Sequence, residues 1–256
     1  MNAKTFLALL SRDAHVARRN LVPMLLQTML QPMLFVFVFG QVMTKSGMMT
    51  PGYEKFLLPG IMAITMMMTG IQAVSMPLIA EFQFTKEIED RLLAPMNIEW
   101  LAIEKIVAGM LQTLLAGCIV APAAYFLVSG GAAPSSFQPF RAIAMALLVA
   151  LLASSVGLLL GCSVGQTQIG LLFSLVLAPM IMFGCAYYPW SALASFPIVQ
   201  KLVLINPLVY ASEGLRGVLT PDIDHMPTMV VMTVLLVIDA VIIALGLKQF
   251  LKKAVG

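Results

Sequence analysis

Residues 56–80 read FLLPGIMAITMMMTGIQAVSMPLIA, a run of 25 residues without a charged side chain. In a helix that rises about 1.5 Å per residue, this run reaches roughly 37 Å, which exceeds the roughly 30 Å hydrocarbon core of a bilayer. Residues 20–44 form another uncharged run of 25 residues on its N-terminal side. The two runs predict neighbouring transmembrane helices.

The composition of the whole chain is that of a membrane protein. Of its 256 residues, 60% are apolar and 11% are charged, and the mean hydropathy is +0.96. A soluble domain has about 25% charged residues, so this chain lacks the polar surface that would cover a water-soluble globule. The apolar runs also leave no length for a separate aqueous catalytic domain. We expect an all-α integral membrane protein with a single transmembrane domain, residues 1–256.

Further uncharged runs, separated by turn-forming segments, divide the chain into six predicted transmembrane helices. A helix over residues 3–19 precedes them, because Phe6, Leu10 and Ala14 share one helical face while the basic residues lie elsewhere. Such a helix lies at the membrane surface. The predicted spans are residues 21–43, 56–80, 103–128, 140–164, 169–187 and 228–247.

The basic residues set the predicted orientation. Both the N-terminal arm and the C-terminal tail are basic, and the positive-inside rule places such segments in the cytoplasm. Two cytoplasmic termini require an even number of crossings, which six spans satisfy. No cleavable signal peptide is expected, since no small-residue cleavage site closely follows the first apolar run. The basic residues concerned are Lys4, Arg12, Arg18, Arg19, Lys248, Lys252 and Lys253.

Residues 81–93, between spans two and three, are predicted to form a short cytoplasmic amphipathic helix. Phe84, Ile88 and Leu92 recur at four-residue steps, charged side chains occupy the other faces, and Pro95 ends the helix. An apolar stripe on a cytoplasmic helix needs a protein partner. The expected contact residues are Phe84, Glu87, Ile88, Glu89, Arg91 and Leu92.

The stretch between spans five and six is mostly apolar but is broken by prolines. Pro189, Pro197 and Pro207 stand eight and ten residues apart, which is too close for a membrane-crossing helix between them. We expect residues 193–210 to form a re-entrant pair of helices on the outer side of the membrane. The expected residues of this outer re-entrant gate are Pro189, Asn206, Pro207, Tyr210, Glu213 and Arg216.

Glu213 and Arg216 stand three residues apart, a spacing that lets the two side chains pair on a helix. Two interpretations of the pair remain open. It could contact cargo or lipid headgroups at the outer surface, or it could only brace the turn into span six.

Asp239 is the one carboxylate well inside a predicted span. An intramembrane carboxylate costs at least about 2.5–3.5 kcal/mol, so it is by default a functional candidate. The equally weighted alternative is a buried polar contact with a Ser, Thr or Gln of another helix. Gly157 and Gly161 share one face of span four, where they allow close helix packing within the chain or between two copies.

The chain carries no sequence signature of catalysis or of a resident cofactor. Residues 40–46 contain the lysine and serine of a phosphate-binding loop but lack the glycine before the lysine. Two histidines supply neither a convincing catalytic triad nor a histidine metal centre. Asp222, Asp224 and His225 fit a solvated loop better than a metal site. We expect a chain that is not an enzyme and binds no metal, cofactor or nucleic acid.

The order of these features resembles the permease subunits of type 2 ABC exporters, over essentially the full chain. The closest local matches are residues 183–190, FGCAYYPW, and residues 204–216, LINPLVYASEGLR. They resemble the end of the family's fifth span and its segment with Asn-Pro-Leu, Tyr, Glu and Arg. The cytoplasmic helix departs from the family pattern, because Thr85 and Glu87 stand without the usual Gly-Thr pair.

The resemblance implies a half-transporter in the cytoplasmic (inner) membrane of a prokaryote. Two copies of the chain, in contact along spans one and five, would form the pathway, and separate ATP-binding-cassette subunits would hold ATP and Mg. The implied function is export of an amphipathic cargo (a drug, a lipid or a lipid-linked glycan) by alternating access. The alternatives are an ion-coupled secondary transporter that uses Asp239 and, more weakly, a membrane enzyme acting on lipids.

Overall fold

The computed structural model describes residues 8–13, 30, 33–48, 53–83, 98–129, 138–165 and 168–255. Within these ranges the chain is all-helical and contains no β-strand. The fold class is therefore all-α, as predicted. The helices used below are α1 (Tyr53–Gln83), α2 (Ile98–Ser129), α3 (Pro139–Ser163), α4 (Pro197–Leu202), α5 (Pro207–Leu219) and α6 (Thr228–Val255).

Four helices in the described ranges are long and apolar enough to cross a bilayer. They comprise Leu57–Phe82, Ile98–Pro122, Pro139–Ser163 and Thr228–Ala254. These stretches overlap the predicted spans two, three, four and six. The chain is therefore an integral membrane protein by the length and composition of its helices.

The predicted spans one and five differ from these four. Residues 33–45 are helical and include a π-helix at Val36–Val42, while residues 21–29 and 31–32 of predicted span one lie outside the described residues. Predicted span five consists of Ile169–Leu172, a π-helix at Phe173–Leu177 and Ala178–Met182. Its helix ends at Met182 rather than at Tyr187. The chain turns there, and Cys185 has a positive φ of 52°, which is incompatible with a continuing helix.

Helix α1 lies at the centre of the bundle and packs closely against α3 through glycines. A Cβ atom on Gly157 would lie 2.9 Å from the carbonyl oxygen of Ile71, and one on Gly161 would lie 3.0 Å from Cα of Ser75. The missing side chains therefore bring the two backbones together. The glycine face of span four packs within the chain.

Helices α1, α3 and α6 run in the same direction, and α2 runs opposite to them. The two glycine contacts show that residues later in α1 lie beside residues later in α3. Gly246 of α6 lies beside Leu158 of α3. Helices α1 and α2 are antiparallel. Met66 of α1 lies beside Gly117 of α2, whereas Glu81, which is later in α1, contacts Lys105, which is earlier in α2. The bundle thus has a tyrosine end, marked by Tyr53 and Tyr187, and a lysine end, marked by Lys105 and Lys253.

Charged side chains connect separate segments at the lysine end. Lys105 Nζ of α2 lies 2.7 Å from Glu81 Oε1 of α1 and 2.6 Å from Asp13 Oδ2 of the N-terminal arm. Lys105 is only 4% exposed. Residues 8–13 are helical, and this contact fixes them against α1 and α2. The rest of the predicted interfacial helix, residues 3–7 and 14–19, lies outside the described residues.

Lys253 makes a second connection at the lysine end. Its Nζ donates to the carbonyl oxygen of Gly161 at 3.2 Å and lies 4.9 Å from the ring centroid of Phe82. Lys253 belongs to α6, but its ammonium group lies at the C-terminal end of α3. There it binds a free carbonyl group and complements the dipole of α3. The contact joins the ends of α1, α3 and α6.

We expect Gly157→Ala to destabilise the bundle by about 1–3 kcal/mol, because the new methyl group meets backbone atoms of α1 that cannot move aside. Gly170→Ala is the matched control, since nothing lies within 4 Å of a Cβ atom at that position. The measurement is thermal unfolding of the two purified variants in detergent. Equal unfolding temperatures would contradict the close α1–α3 packing.

Candidate functional site

The candidate site lies at the tyrosine end, where the chain folds into short helices between residues 189 and 219. A 3₁₀ turn at Trp190–Ser195 leads to α4, a second 3₁₀ turn at Val203–Ile205 and then α5. Helices α4 and α5 begin at Pro197 and Pro207, which suit the first helical turn because they lack an N–H group. The two helical stretches meet at an angle of 97°.

Asn206 makes the bend between these stretches. Its Oδ1 accepts a hydrogen bond from the backbone N–H of Leu208 at 3.0 Å and so caps α5. Its Nδ2 donates to the carbonyl oxygen of Met180 at 2.7 Å. One side chain therefore starts α5 and also holds the end of the preceding helical run.

The turn that follows Met182 is enclosed between α1 and α5. Ser212 Oγ of α5 donates to the carbonyl oxygen of Gly184 at 2.6 Å. On the other side, Gly60 of α1 faces the backbone of Ala186 so closely that any Cβ atom would collide with its carbonyl group. The absence of a side chain at Gly60 is therefore a requirement of this turn.

Glu213 and Arg216 form an ion pair inside this region, as their spacing predicts. They are 1% and 0% exposed, respectively. Glu213 also accepts hydrogen bonds from the backbone N–H groups of Trp190, at 2.8 Å, and Met226, at 2.9 Å. Arg216 Nη2 donates to the carbonyl oxygen of Cys185 at 3.0 Å. The pair thus connects α5 to the turn that follows Met182, to the 3₁₀ turn at Trp190–Ser195 and to the segment before α6.

The burial of the pair favours the bracing interpretation in the described conformation, because neither side chain reaches the surface of the chain. A buried carboxylate that accepts two backbone N–H groups acts as a brace. The sequence identified the pair, but the partners Trp190, Met226 and Cys185 contribute only backbone atoms and carry no sequence signal.

Aromatic side chains complete the hydrogen bonding of the tyrosine end. Tyr53 donates to the carbonyl oxygen of Tyr187 at 2.9 Å, and Tyr210 donates to that of Leu204 at 3.0 Å. Trp190 Nε1 donates to the carbonyl oxygen of Gln200 at 3.0 Å. Burial raises the pKa of Tyr53, so its hydroxyl stays a neutral donor. Hydroxyl and indole groups that point back into the chain leave the outward surface apolar.

The outward surface of the short helices carries large apolar side chains. Phe196 is 65% exposed, Ile198 83%, Leu202 64% and Ile205 80%. Such a concentration is unusual on a surface that faces water and fits contact with a membrane or another protein. This supports the expectation that the stretch is not a solvated loop.

The other residues singled out from the sequence are placed as follows. Residues 84–93 of the predicted cytoplasmic helix lie outside the described residues, and they include Phe84, Glu87, Ile88, Glu89, Arg91 and Leu92. Residues 81–83, which were predicted to begin that helix, form the end of α1. Asp222 and Asp224 are exposed, and His225 Nδ1 lies 2.7 Å from the carbonyl oxygen of Ile223. In the part of the chain that the structure describes, no three His, Cys, Asp or Glu side chains form a group that could hold a metal ion.

A family model described as ABC-2 type transporter matches residues 4–220 of the chain. The chain belongs to the ABC-2 type transporter family. The match includes the short helices between residues 189 and 219 and ends one residue after α5. The chain is also similar to proteins named inner membrane transport permease YadH from Escherichia coli strain K12 and from Shigella flexneri. Each is 26% identical over 210 residues, which cover 80% of this chain and 79% of the relative.

Membership of the ABC-2 family confirms the resemblance seen in residues 183–190 and 204–216. It identifies the chain as a transmembrane transport subunit and implies association with an ATP-binding-cassette ATPase. In this ABC-2 permease, the segment with Asn206, Pro207, Glu213 and Arg216 forms the buried support of the tyrosine end.

We expect Glu213→Ala to destabilise the permease by about 3–5 kcal/mol, because Arg216 would remain buried without its counter-ion. The exchange of both residues, Glu213→Arg with Arg216→Glu, should not restore stability. The N–H groups of Trp190 and Met226 would then face a guanidinium, which cannot accept hydrogen bonds.

The control is Arg141→Gln, which removes an exposed charge at the start of α3 and should leave stability unchanged. Thermal unfolding of all three variants in detergent provides the comparison. Recovery of stability in the exchanged variant would show that the backbone hydrogen bonds to Glu213 are unimportant.

Proposed function

We propose that the chain is the membrane-spanning half of an ATP-driven exporter in the cytoplasmic (inner) membrane of a prokaryote. The family match over residues 4–220 carries this proposal. The relatives named inner membrane transport permease support the location. The sequence contains no complete phosphate-binding loop, so the ATP and Mg of the cycle belong to a separate subunit. This chain then provides the passage and the contact with the ATPase.

The positions of the chain segments support six crossings. Asp13 lies at the lysine end, whereas Phe35 and Phe39 pack against Leu57 and Ile61 at the tyrosine end. The chain must therefore pass from one end to the other before α1. Helices α3 and α6 run in the same direction, so the chain must also return between them, where residues 168–182 are helical. With α1, α2, α3 and α6 these passages make six.

We place the lysine end in the cytoplasm. Lys105, Lys248, Lys252 and Lys253 all lie at or near this end, together with the N-terminal arm that contains Arg12. The positive-inside rule favours this orientation. The tyrosine end then faces the outside, with aromatic side chains at the level where they are enriched in membrane proteins.

In this orientation the ATPase binds the segment between α1 and α2. Both neighbouring helix ends, at Glu81 and Lys105, are joined by an ion pair at the lysine end. The stripe of Phe84, Ile88 and Leu92 would enter a groove on the ATPase, with Glu87, Glu89 and Arg91 around it. The contact with Asp13 would hold the N-terminal arm beside the same interface.

Two copies of the chain would form the pathway for an amphipathic cargo by alternating access. The described parts of predicted spans one and five expose large apolar side chains, whereas α1 is largely buried. These exposed surfaces are available for a second copy or for lipid. The most exposed of these side chains are Leu30 at 65%, Leu171 at 58%, Leu175 at 70% and Met182 at 63%.

An ion-coupled secondary transporter is the second candidate, because Asp239 is a buried carboxylate inside α6. ATP dependence distinguishes the two functions. Transport by an exporter of the proposed kind stops without ATP and its ATPase subunit, whereas transport by the alternative continues on an ion gradient.

Replacement of Ile88 by Asp tests the proposed ATPase contact. A charge in the apolar stripe should abolish co-purification of the permease with its ATPase subunit, because the carboxylate would be buried without a partner. Ile88→Leu, which keeps the stripe apolar, should co-purify like the wild type, with two permease copies for every two ATPase copies.

Unfolding temperature of the purified permease serves as the control for an intact membrane fold. If Ile88→Asp co-purified with the ATPase in normal amounts, this docking segment would be wrong. A complex with one permease copy would overturn the homodimer.

A further inference from the structure

Asp239 lies in a stretch of α6 whose other side chains are apolar. It is 1% exposed and belongs to the buried stripe of α6, together with Val231, Leu235, Gly246 and Phe250. Neither carboxyl oxygen has a hydrogen-bond partner among the described residues. The expected contact with a hydroxyl or amide of another span is therefore not found in those residues.

The helix that faces this stripe offers no free hydroxyl proton. Gly246 lies beside Leu158 and the two helices are parallel, so Asp239 is level with about residue 151 of α3. The nearest polar side chains on α3 are Ser154 and Ser155. Their hydroxyls already donate to the carbonyl oxygens of Ala150, at 2.8 Å, and Leu151, at 2.6 Å. A hydroxyl has one proton, so neither can donate to Asp239, although both retain acceptor lone pairs.

The charged groups on the helices packed against α6 lie at the ends of the bundle. Helix α3 carries Arg141 near its start, α5 carries the paired Glu213 and Arg216, and α2 carries Glu99, Glu104 and Lys105 at the lysine end. Helix α1, whose Phe82 meets Phe250 of α6, carries Glu54 and Lys55 in its first turn and Glu81 at the lysine end. The remaining titratable groups on these helices are Tyr53, bonded to Tyr187, Tyr125, in the last turns of α2, Cys118, which is exposed, Cys162, near the lysine end, and Tyr210, bonded to Leu204. Across the described helices, no basic side chain stands level with Asp239.

We propose that Asp239 is a proton-binding site in the seam between α3 and α6. An ionised carboxylate in this seam would have neither a counter-ion nor a donor, whereas a protonated carboxyl group can donate to an acceptor such as a serine oxygen. The proton stays on Asp239 while the seam is closed and leaves only in conformations that admit water. This inference is independent of the identity of the ATPase and of the cargo.

Infrared spectroscopy of the purified permease in lipid vesicles tests the site directly. The wild type should show the carbonyl stretching band of a protonated carboxyl group at a neutral pH, where exposed carboxyl groups are ionised. Asp239→Asn, a neutral side chain of similar shape, should lose this band. Glu99→Gln, which removes an exposed carboxylate at the start of α2, should retain it.

A second measurement covers the case in which Asp239→Asn fails to fold. Wild-type permease labelled with ¹³C at the side-chain carboxyl of aspartate should show the same band at a lower frequency. Absence of the band in the wild type, or its persistence in Asp239→Asn, would overturn the proposal. Either result would mean that Asp239 does not hold a proton in the purified permease.

Discussion

The ion pair of Glu213 and Arg216 is the interaction on which the tyrosine end depends. Two charges removed from water are stable only if their remaining hydrogen-bonding groups are also satisfied. Glu213 meets this condition with the N–H groups of Trp190 and Met226, and Arg216 does so in part with the carbonyl oxygen of Cys185. These demands fix three chain segments around α5. A region broken by prolines thereby acquires one defined arrangement.

The lysine end is held in a comparable way, by the side chains of two lysines. Lys105 joins α1, α2 and the N-terminal arm, while Lys253 joins the ends of α3, α6 and α1. Between the two ends the helices are packed through glycines such as Gly157. A bundle fixed at both ends and closely packed in its middle suits the proposed function, in which an ATPase at the lysine end would move the short helices at the tyrosine end.

Much of this fold follows from the sequence, because bilayer thickness imposes a minimum length on apolar helices. The uncharged run at residues 56–80 predicted a spanning helix, and the prolines at 189, 197 and 207 predicted pieces too short to cross the bilayer, which the structure shows as short helices. The end of the fifth predicted span was placed wrongly, since the positive φ of Cys185 depends on contacts with α1 and α5 that are distant in sequence. For the same reason the sequence paired Glu213 with Arg216 but could not show the backbone groups that they bind.

Hydrogen exchange at the backbone amides of Trp190 and Met226 tests the central role of Glu213 most directly. In the wild-type permease both amides should exchange slowly, because each donates to the buried carboxylate. In Glu213→Gln the amide that faces the new side-chain NH2 group loses its acceptor and should exchange faster, and the other amide should lose protection because its acceptor is no longer charged. Amides in the middle of α3 should remain protected. Unchanged protection of both amides in that variant would contradict the account, since it would show that these segments are held without the carboxylate.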